Sequence, residues 1–381
     1  MKKWKSEKEQ LQLALTENSK SRFSVKNSTR IISVVIALFI LLVLAAGCTK
    51  EAVEETPAKP KTISIVDSAG RVVEVPQPLE RIVVWDAGIA EVIRALGAED
   101  KIVGISDFMV TYYPYFWPEL QDRPATGSWY SPNYEKVIDL EPQVLLTLPP
   151  PWGRLDTEKL EHAGIKVVML DFHKVDFGKE IKTLGLILGK QKEAEEFANF
   201  LQSKIELIEK RVKMIKPEER KKVYWEAGHK DYCTWGPGSF ADEIIRKAGG
   251  INIFADLPVQ VSDVDPEEVL ARDPDVIIKG PHGARYGGYL ATDTKDMKAK
   301  REEMLSRPGW NKLKAIKNGQ LYIMGRDLLG PKTVITLCYV AKLLYPDKFR
   351  DLDVEAFHRE YLEKYQGLEF KGIYVYPCPW E

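Results

Sequence analysis

Short apolar runs alternate with amphipathic segments along most of this chain. In the first half, the runs at 81–85, 102–105, 144–147 and 166–170 are typical of buried strands. The segments between them carry apolar residues every three or four positions, which is the spacing of one helical face. Strands that alternate with helices form parallel sheets covered on both faces, so this pattern predicts an α/β lobe.

The longest amphipathic segment, 191–216, predicts the element that connects the two halves. No Gly or Pro interrupts it, and Pro217 closes it. Its apolar positions follow helical spacing at Phe197, Leu201, Ile205, Ile208, Val212 and Ile215. A helix of this length spans roughly 40 Å. We predict a strut that joins two lobes, and the alternative is an ordinary surface helix of one large domain.

The second half repeats the first. Residues 81–88 match 221–228, and a predicted helix follows each of them, with about a dozen extra residues before the second helix. Further along, 133–144 matches 265–276 at a constant offset of 132. Three matched segments in the same order predict two similar α/β lobes with a cleft between them.

The repeat also predicts where a ligand binds. In open parallel sheets, ligands lie beyond the carboxyl ends of the strands, and the pairs 85–86 and 225–226 occupy equivalent strand ends. The first lobe would contribute Trp85, Tyr112, Tyr113, Trp129, Tyr130 and Trp152. The second would contribute Trp225, His229, Tyr232, Trp235, His282, Arg285 and Tyr286. Such a cleft favours a large, partly apolar, ring-bearing ligand, whereas core packing is the alternative for about half of these aromatic rings.

Residues 1–48 are typical of an export signal. The first thirty carry eight Lys or Arg and three Glu, residues 31–47 are uncharged, and Cys48 follows small residues. This order predicts a lipoprotein signal in which Cys48 is lipidated. The alternative is an uncleaved anchor of about 25 Å. Both alternatives keep the basic flank inside and place the body on the outer face of the cell membrane.

The predicted domain organisation combines these patterns. It comprises a signal or anchor (1–48), a linker (49–60), an N-terminal α/β lobe (61–176), connecting helices (177–217), a C-terminal α/β lobe (218–349) and a C-terminal helical tail (350–381).

Composition argues against several classes of function. The formal charge of −1 leaves no electrostatic footprint for nucleic acid. Five His without metal-ligand spacing and four Cys without a CxxC motif predict neither a metal site nor a cofactor. If Cys48 is lipidated, Cys233, Cys338 and Cys378 remain, and the sequence leaves their pairing open.

Two glutamates occupy equivalent positions in the lobes. Glu135 follows Asn133 and Glu267 follows Asp265, and Asn and Asp are good N-cap residues. The helix macrodipole favours a carboxylate in the first turn, which is a sufficient structural explanation. The alternative is that this symmetric pair docks onto paired basic sites of a partner.

At family level the chain resembles the solute-binding proteins of ABC importers for ferric siderophores, haem and vitamin B12. The segments that carry the resemblance begin with RIVVWDAGIAEVIRALGAEDKIVGI and include YEKVIDLEPQVLL, GPGSFADEIIRKAGGINIFAD, DPEEVLARDPDVII and IKNGQLYIM. The resemblance implies two lobes on one long helix, and permease docking through Glu135 and Glu267. Trp129 stands where the vitamin B12-binding member has an aromatic residue near its ligand, which favours a corrinoid.

The preferred hypothesis is a monomeric extracytoplasmic receptor that delivers a metal chelate to an ABC permease dimer with its ATPase and performs no chemistry. A first alternative is a two-lobed enzyme of the class II chelatase type, with His229 and Glu226 as the candidate proton-accepting pair. A second is a sensory ectodomain, which lacks a cytoplasmic signalling region in this sequence.

Overall fold

The structure, a computed structural model, describes residues 61–128, 131–150 and 155–380. Its first part is a hairpin followed by a four-stranded parallel sheet of order β4-β3-β5-β6, here called the N-terminal lobe. Its elements are β1 (Lys61–Val66), β2 (Val72–Gln77), β3 (Ile82–Val84), α1 (Ala87–Ala95), β4 (Ile102–Ile105), α2 (Asp107–Tyr112), α3 (Tyr134–Asp139), β5 (Val144–Thr147), α4 (Thr157–His162) and β6 (Lys166–Met169).

Two helices lead to the second part, α5 (Gly178–Leu188) and α6 (Gln191–Val212). The C-terminal lobe is built on a sheet of order β10-β8-β7-β11-β12-β13, with β9 beside β7. Its elements are β7 (Lys222–Glu226), β8 (Cys233–Trp235), α7 (Phe240–Lys247), β9 (Ile251–Asn252), β10 (Val261–Asp263), α8 (Pro266–Arg272), β11 (Val276–Lys279), α9 (Lys295–Leu305), α10 (Lys314–Lys317), β12 (Leu321–Met324), α11 (Thr333–Leu344), α12 (Val354–Glu360) and β13 (Val375–Tyr376).

The strands at the centre of each sheet carry side chains that are buried on both faces. Every residue of β3, β5 and β11 is buried. Helices cover both faces of a parallel sheet, so no strand position can be polar without a partner. This explains why the sequence shows unbroken Val, Ile and Leu runs there, and it confirms the α/β fold class.

Helix α6 confirms the predicted long connection, although it ends at Val212. Its buried positions are those that helical spacing predicted, joined by Ala194 and Ala198. Phe197 and Phe200 pack against Tyr365, in the chain that follows α12. The helix is therefore a wall packed along its apolar face, and it is not a free-standing rod.

Several elements differ from the sequence-based prediction. The aromatic segment 108–118 lies between the predicted strands 102–105 and 144–147; it begins in α2 and continues as two 3-10 turns, Pro114–Phe116 and Pro118–Leu120. The extra residues before α7 contain β8, which folds back antiparallel onto β7. Helix α9, strand β9 and strand β10 were missed, because their sequences are short or mostly polar.

The end of the chain belongs to the C-terminal sheet. Strand β13 pairs antiparallel with β12 through Tyr376 and Val375. The predicted tail helix is present as α12 and continues as a π-helical turn, Tyr361–Tyr365. This segment contacts the N-terminal lobe, where the side-chain amide of Gln366 donates a hydrogen bond to the backbone carbonyl of Glu91 on α1. The tail therefore connects both lobes.

Candidate functional site

A cavity of about 390 Å³ lies between residues that follow strands of both sheets. The N-terminal lobe contributes residues after β3, β5 and β6, and the C-terminal lobe contributes residues after β8, β11 and β12. These are the loop positions where ligands of open α/β sheets bind. We call this cavity the cleft.

The wall from the N-terminal lobe begins at Trp85. Its indole nitrogen donates a hydrogen bond of 2.8 Å to the Thr126 hydroxyl, which fixes the ring in a buried position beside the cleft. Asp86 follows and accepts from the backbone N–H of Ile89 at 3.0 Å, so it caps α1. The aromatic residues that complete this wall are Phe108, Tyr113, Phe116 and Trp117.

Arg326 joins this wall to the C-terminal lobe. Its guanidinium lies 5.1 Å from the centre of the Tyr113 ring and 5.7 Å from that of Tyr115. It also donates to the carbonyl of Tyr112 at 2.8 Å. The Tyr115 hydroxyl donates to Asp327 at 2.9 Å, so hydrogen bonds cross between the lobes at this side of the cleft.

The wall from the C-terminal lobe is a set of packed rings. Trp235 lies 4.6 Å from Phe240 and 5.1 Å from His282, measured between ring centres. His229 lies 5.3 Å from His282. His282 is exposed towards the cleft, yet partial desolvation, together with the nearby His229 and His173, lowers the pKa of its imidazole to about 4. The ring is therefore neutral at pH 7.

A polar corner centres on His173, after β6. Its Nε2 lies 3.4 Å from a carboxylate oxygen of Asp86, and its backbone N–H donates to Asp171 at 2.9 Å. Burial lowers the pKa of His173, but the hydrogen bond and charge of Asp86 and the charge of Asp171 outweigh it and raise the pKa. Glu243 completes the corner by accepting from the backbone N–H of Val175 at 3.0 Å.

A buried ion pair closes the floor of the cleft between the lobes. Lys332 donates to both carboxylate oxygens of Glu91 at 2.5 Å. The Tyr361 hydroxyl donates to the same carboxylate at 2.6 Å. Beside this pair, a Cβ on Gly88 would lie 3.1 Å from a ring carbon of Pro331, so the lobes approach closely there.

The structure brings only part of the predicted site together. Of the predicted residues it describes, Trp85, Tyr113, Trp235 and His282 line the cleft. Predicted residues that do not line it are Tyr112, Trp225, His229, Tyr232, Arg285 and Tyr286. Trp129, Tyr130 and Trp152 lie outside the described residues.

Each of the residues away from the cleft has a local reason for its position. Tyr112 is 56% exposed and offers its carbonyl, while its neighbour Tyr113 points inward. Tyr232 packs under Arg307, whose guanidinium lies 4.6 Å from the centre of its ring. Arg285 is exposed and Tyr286 is buried, both on the loop after β11. His229 reaches the cleft only through its contact with His282.

The insertion before α7 removes the second Trp–acidic pair from the cleft. It forms β8, and Trp235 at the end of that strand takes the position predicted for Trp225. Trp225 is buried and donates to the carbonyl of Gly280. Glu226 is buried between Lys279 and Arg307, at 2.6 and 2.9 Å.

The chelatase alternative loses its candidate base for the same reason. The Glu226 carboxylate is fully buried and committed to two cations and the Tyr224 hydroxyl. His229, in contrast, is exposed and lies against His282. Within the described part of the chain, no group of three or more His, Cys, Asp or Glu side chains could hold a metal ion.

Sequence reasoning missed the rings of Phe108, Phe116, Trp117 and Phe240, and it missed two mainly charged segments of the cleft, 171–174 and 326–333. Both follow strands of the parallel sheets, β6 and β12. The rule that ligands bind beyond carboxyl ends therefore applied to them as well. Their residues were overlooked because the prediction selected aromatic residues, whereas these segments contribute mainly charged ones.

The two predicted docking glutamates are exposed in the first turns of their helices. The Asn133 side chain caps α3 and the Asp265 side chain caps α8, as predicted. Neither Glu135 nor Glu267 forms a side-chain hydrogen bond or ion pair with any other residue that the structure describes. Cys48 lies outside the described residues. Among the described helices, none is both long and apolar enough to cross a membrane.

Comparison with known proteins gives a consistent set of relatives. A family model described as "Periplasmic binding protein" matches residues 82–328. An uncharacterized ABC transporter substrate-binding lipoprotein, YvrC of Bacillus subtilis, is 28% identical over 330 residues, which are 83% of this chain and 97% of that protein. The vitamin B12-binding protein of Vibrio cholerae is 23% identical and covers 69% of this chain and 87% of its own.

Solved structures share the fold. The TroA-like periplasmic binding protein FepB from Veillonella parvula matches with a TM-score of 0.71 and 27% identity, over 82% of this chain and 99% of that one. The molybdate-binding MolA of Haemophilus influenzae matches with a TM-score of 0.66 at 20% identity, over 81% of this chain and 99% of that one. These relatives are binding proteins and not enzymes. The chain therefore belongs to the periplasmic binding protein family.

Proposed function

We propose that this chain is the extracytoplasmic substrate-binding protein of an ABC importer, and that it captures a metal chelate in the cleft and delivers it to the permease. The candidate ligands are ferric siderophores, haem and corrinoids. The observation that carries the proposal is the cleft itself, a cavity of about 390 Å³ between two lobes, lined by seven Phe, Tyr and Trp rings together with polar groups. A volume and lining of this kind suit a bulky ring-bearing molecule.

The position of the cleft fits capture and release. It opens between two lobes that are joined by α6 and by the tail, so a ligand can contact both lobes at once. Continuous packing of α6 resists large hinge motion, and we expect the lobes to close only slightly on binding.

Tryptophan fluorescence tests the proposal directly, because Trp85, Trp117 and Trp235 line the cleft. Titration with haem, cyanocobalamin and ferric siderophores should change emission with at least one of them in a saturable manner. The matched control is Trp310→Phe, because that ring packs in the core of the C-terminal lobe. This variant should keep the ligand response. Absence of a saturable response to every chelate would contradict the proposal.

The exposed glutamates support docking to a symmetric permease. Each belongs to a helix that precedes a parallel strand, α3 before β5 and α8 before β11. Helices in such crossovers run antiparallel to their strands, so their first turns lie near the carboxyl edge of each sheet, which also borders the cleft. The two carboxylates are thus presented on the side of the molecule where ligand must pass to the permease.

Charge reversal tests this role. Glu135→Arg with Glu267→Arg should abolish ligand-dependent stimulation of the permease ATPase and leave ligand affinity unchanged. Glu141→Arg with Glu218→Arg is the matched control, since both are exposed acids that precede a strand, β5 and β7, and so lie at the amino edges of the two sheets. Full stimulation by the first double variant would show that the docking assignment is wrong.

Membrane attachment through Cys48 belongs to the same proposal. In the source cell, Cys48→Ser should release a lipoprotein from the membrane fraction, whereas an uncleaved anchor should remain attached. Mass spectrometry of the native N-terminus distinguishes the two arrangements.

A further inference from the structure

The charges around the cleft are unequal in number. Among the described lining residues, five are carboxylates and three are Lys or Arg. The carboxylates are Asp86, Glu91, Asp171, Glu243 and Asp327, and the cations are Lys174, Arg326 and Lys332. In a concave site with low-dielectric walls, the electric field of such an excess negative charge acts strongly on a bound ligand.

Each of the three cations already has a partner. Lys332 is held by both oxygens of Glu91. Lys174 bonds at 2.9 Å to Glu180, a carboxylate that does not line the cleft. Arg326 donates to a backbone carbonyl, lies over two tyrosine rings and is 3.6 Å from Asp327. An anionic ligand would have to compete for each of them.

The acidic groups of the polar corner are less compensated. The His173 imidazole lies 3.4 Å from Asp86, and Asp171 accepts from the His173 backbone N–H. This group therefore has one imidazole for two carboxylates and keeps at least one negative charge even when the ring is protonated. Glu243 accepts from a backbone N–H and forms no ion pair with a Lys or Arg among the described residues. The cleft therefore keeps a net negative charge at neutral pH.

The opposite wall offers a neutral donor. Trp235 is 3% exposed and lines the cleft, and its indole nitrogen has no hydrogen-bond partner among the described residues. A buried donor without a partner costs free energy, and an uncharged acceptor such as an amide carbonyl satisfies it. His282, which packs on Trp235, is neutral at pH 7.

We infer that the cleft selects an uncharged or positively charged chelate that carries amide-type oxygens, and that it rejects polyanionic chelates and oxyanions. The inference rests on the proposed function and narrows its ligand class. It separates neutral corrinoids and ferric hydroxamates from ferric catecholates, from haem with its two carboxylates, and from molybdate.

Calorimetry with probes of different charge tests the inference. The uncharged or cationic probes are cyanocobalamin, aquocyanocobinamide and a ferric trihydroxamate, and the anionic probes are a ferric tris-catecholate, haem and molybdate. At least one probe of the first group should bind at least tenfold more tightly than every probe of the second group. A tighter anionic probe would overturn the inference and leave the proposed function standing, whereas no binding by any of the six would overturn both.

Glu243→Gln isolates the electrostatic contribution, because the amide oxygen can still accept from Val175. Removing one charge about 8 Å from a ligand charge, at an effective dielectric constant of about 40, should improve anion binding roughly fivefold for each ligand charge. Affinity for an uncharged probe should stay within about twofold. The affinities of this variant for haem, the anionic probe, and for cyanocobalamin, the uncharged probe, are therefore both measured.

Glu218→Gln is the matched control. It removes the same charge from an exposed residue before β7, at the amino edge of the C-terminal sheet and away from the cleft. This variant should bind haem and cyanocobalamin with unchanged affinity. If both Gln variants gain the same affinity for haem, or if Glu243→Gln gains none, the polar corner does not select ligands by charge.

Discussion

Replacement of Lys332 by Met tests whether the floor of the cleft also holds the lobes together. Lys332 is 4% exposed and bonds both oxygens of Glu91, across the boundary between the lobes. Met has a similar length and removes only the positive charge. The Glu91 carboxylate would then remain buried, with the Tyr361 hydroxyl as its one described side-chain donor.

The expected cost follows from burial. Breaking a buried ion pair on one side leaves an uncompensated charge and costs about 3–5 kcal/mol. The exposed pair of Lys182 and Glu195 is similar in distance, 3.0 Å, but both side chains are 54% exposed. For an exposed pair the corresponding loss is below about 1 kcal/mol. Lys182→Met is therefore the matched control.

Equilibrium unfolding in urea measures both variants, and a double-mutant cycle separates the pair from its surroundings. Glu91→Gln combined with Lys332→Met removes both charges and keeps an acceptor for Tyr361. The double variant should recover at least half of the stability that Lys332→Met loses. If Lys332→Met lowers the free energy of unfolding by less than about 1 kcal/mol, or if the losses of the two single variants are strictly additive, the buried ion pair does not hold the lobes together.

Two further predictions concern acid stability and backbone geometry. His358 is fully buried, and burial together with the Lys332 charge lowers the pKa of its imidazole to about 3, so the unfolded chain binds more protons than the folded chain between pH 3 and 6.5. The free energy of unfolding should therefore fall by about 1.4 kcal/mol per pH unit as the pH decreases through that range. In urea titrations, His358→Gln should make this pH dependence flatter. Gly280→Ala should destabilise by at least about 3 kcal/mol, because its Cβ would lie 2.2 Å from the Met324 carbonyl at a φ of +101°. Gly97→Ala, also at positive φ but with open space around its Cβ, should cost about 1 kcal/mol, and equal losses for the two would contradict the steric argument.

Local patterns in the sequence determined most of the fold. Short runs of Val, Ile and Leu predicted strands buried on both faces, as in β5 and β11. Helical spacing identified α6, and the caps Asn133 and Asp265 fixed where α3 and α8 begin. These features depend on residues that are close in the chain, so the sequence by itself was sufficient.

The membership of the cleft depended on tertiary structure. Trp225 and Trp235 are both aromatic and both belong to strands, and only the antiparallel return of β8 decides which of them lines the cleft. Likewise, Glu91 and Lys332 are far apart in sequence, and no local pattern shows that they pair.

The physical reason is the range of the interactions. Secondary structure follows from propensity and periodicity over a few residues, whereas a binding site follows from which side chains meet after the sheets pack. The sequence alone determined two α/β lobes on a long helix, and it predicted a site beyond their strand ends. The tertiary structure decided which aromatic rings form the walls, which charges cancel, and that carboxylates outnumber cations in the described lining.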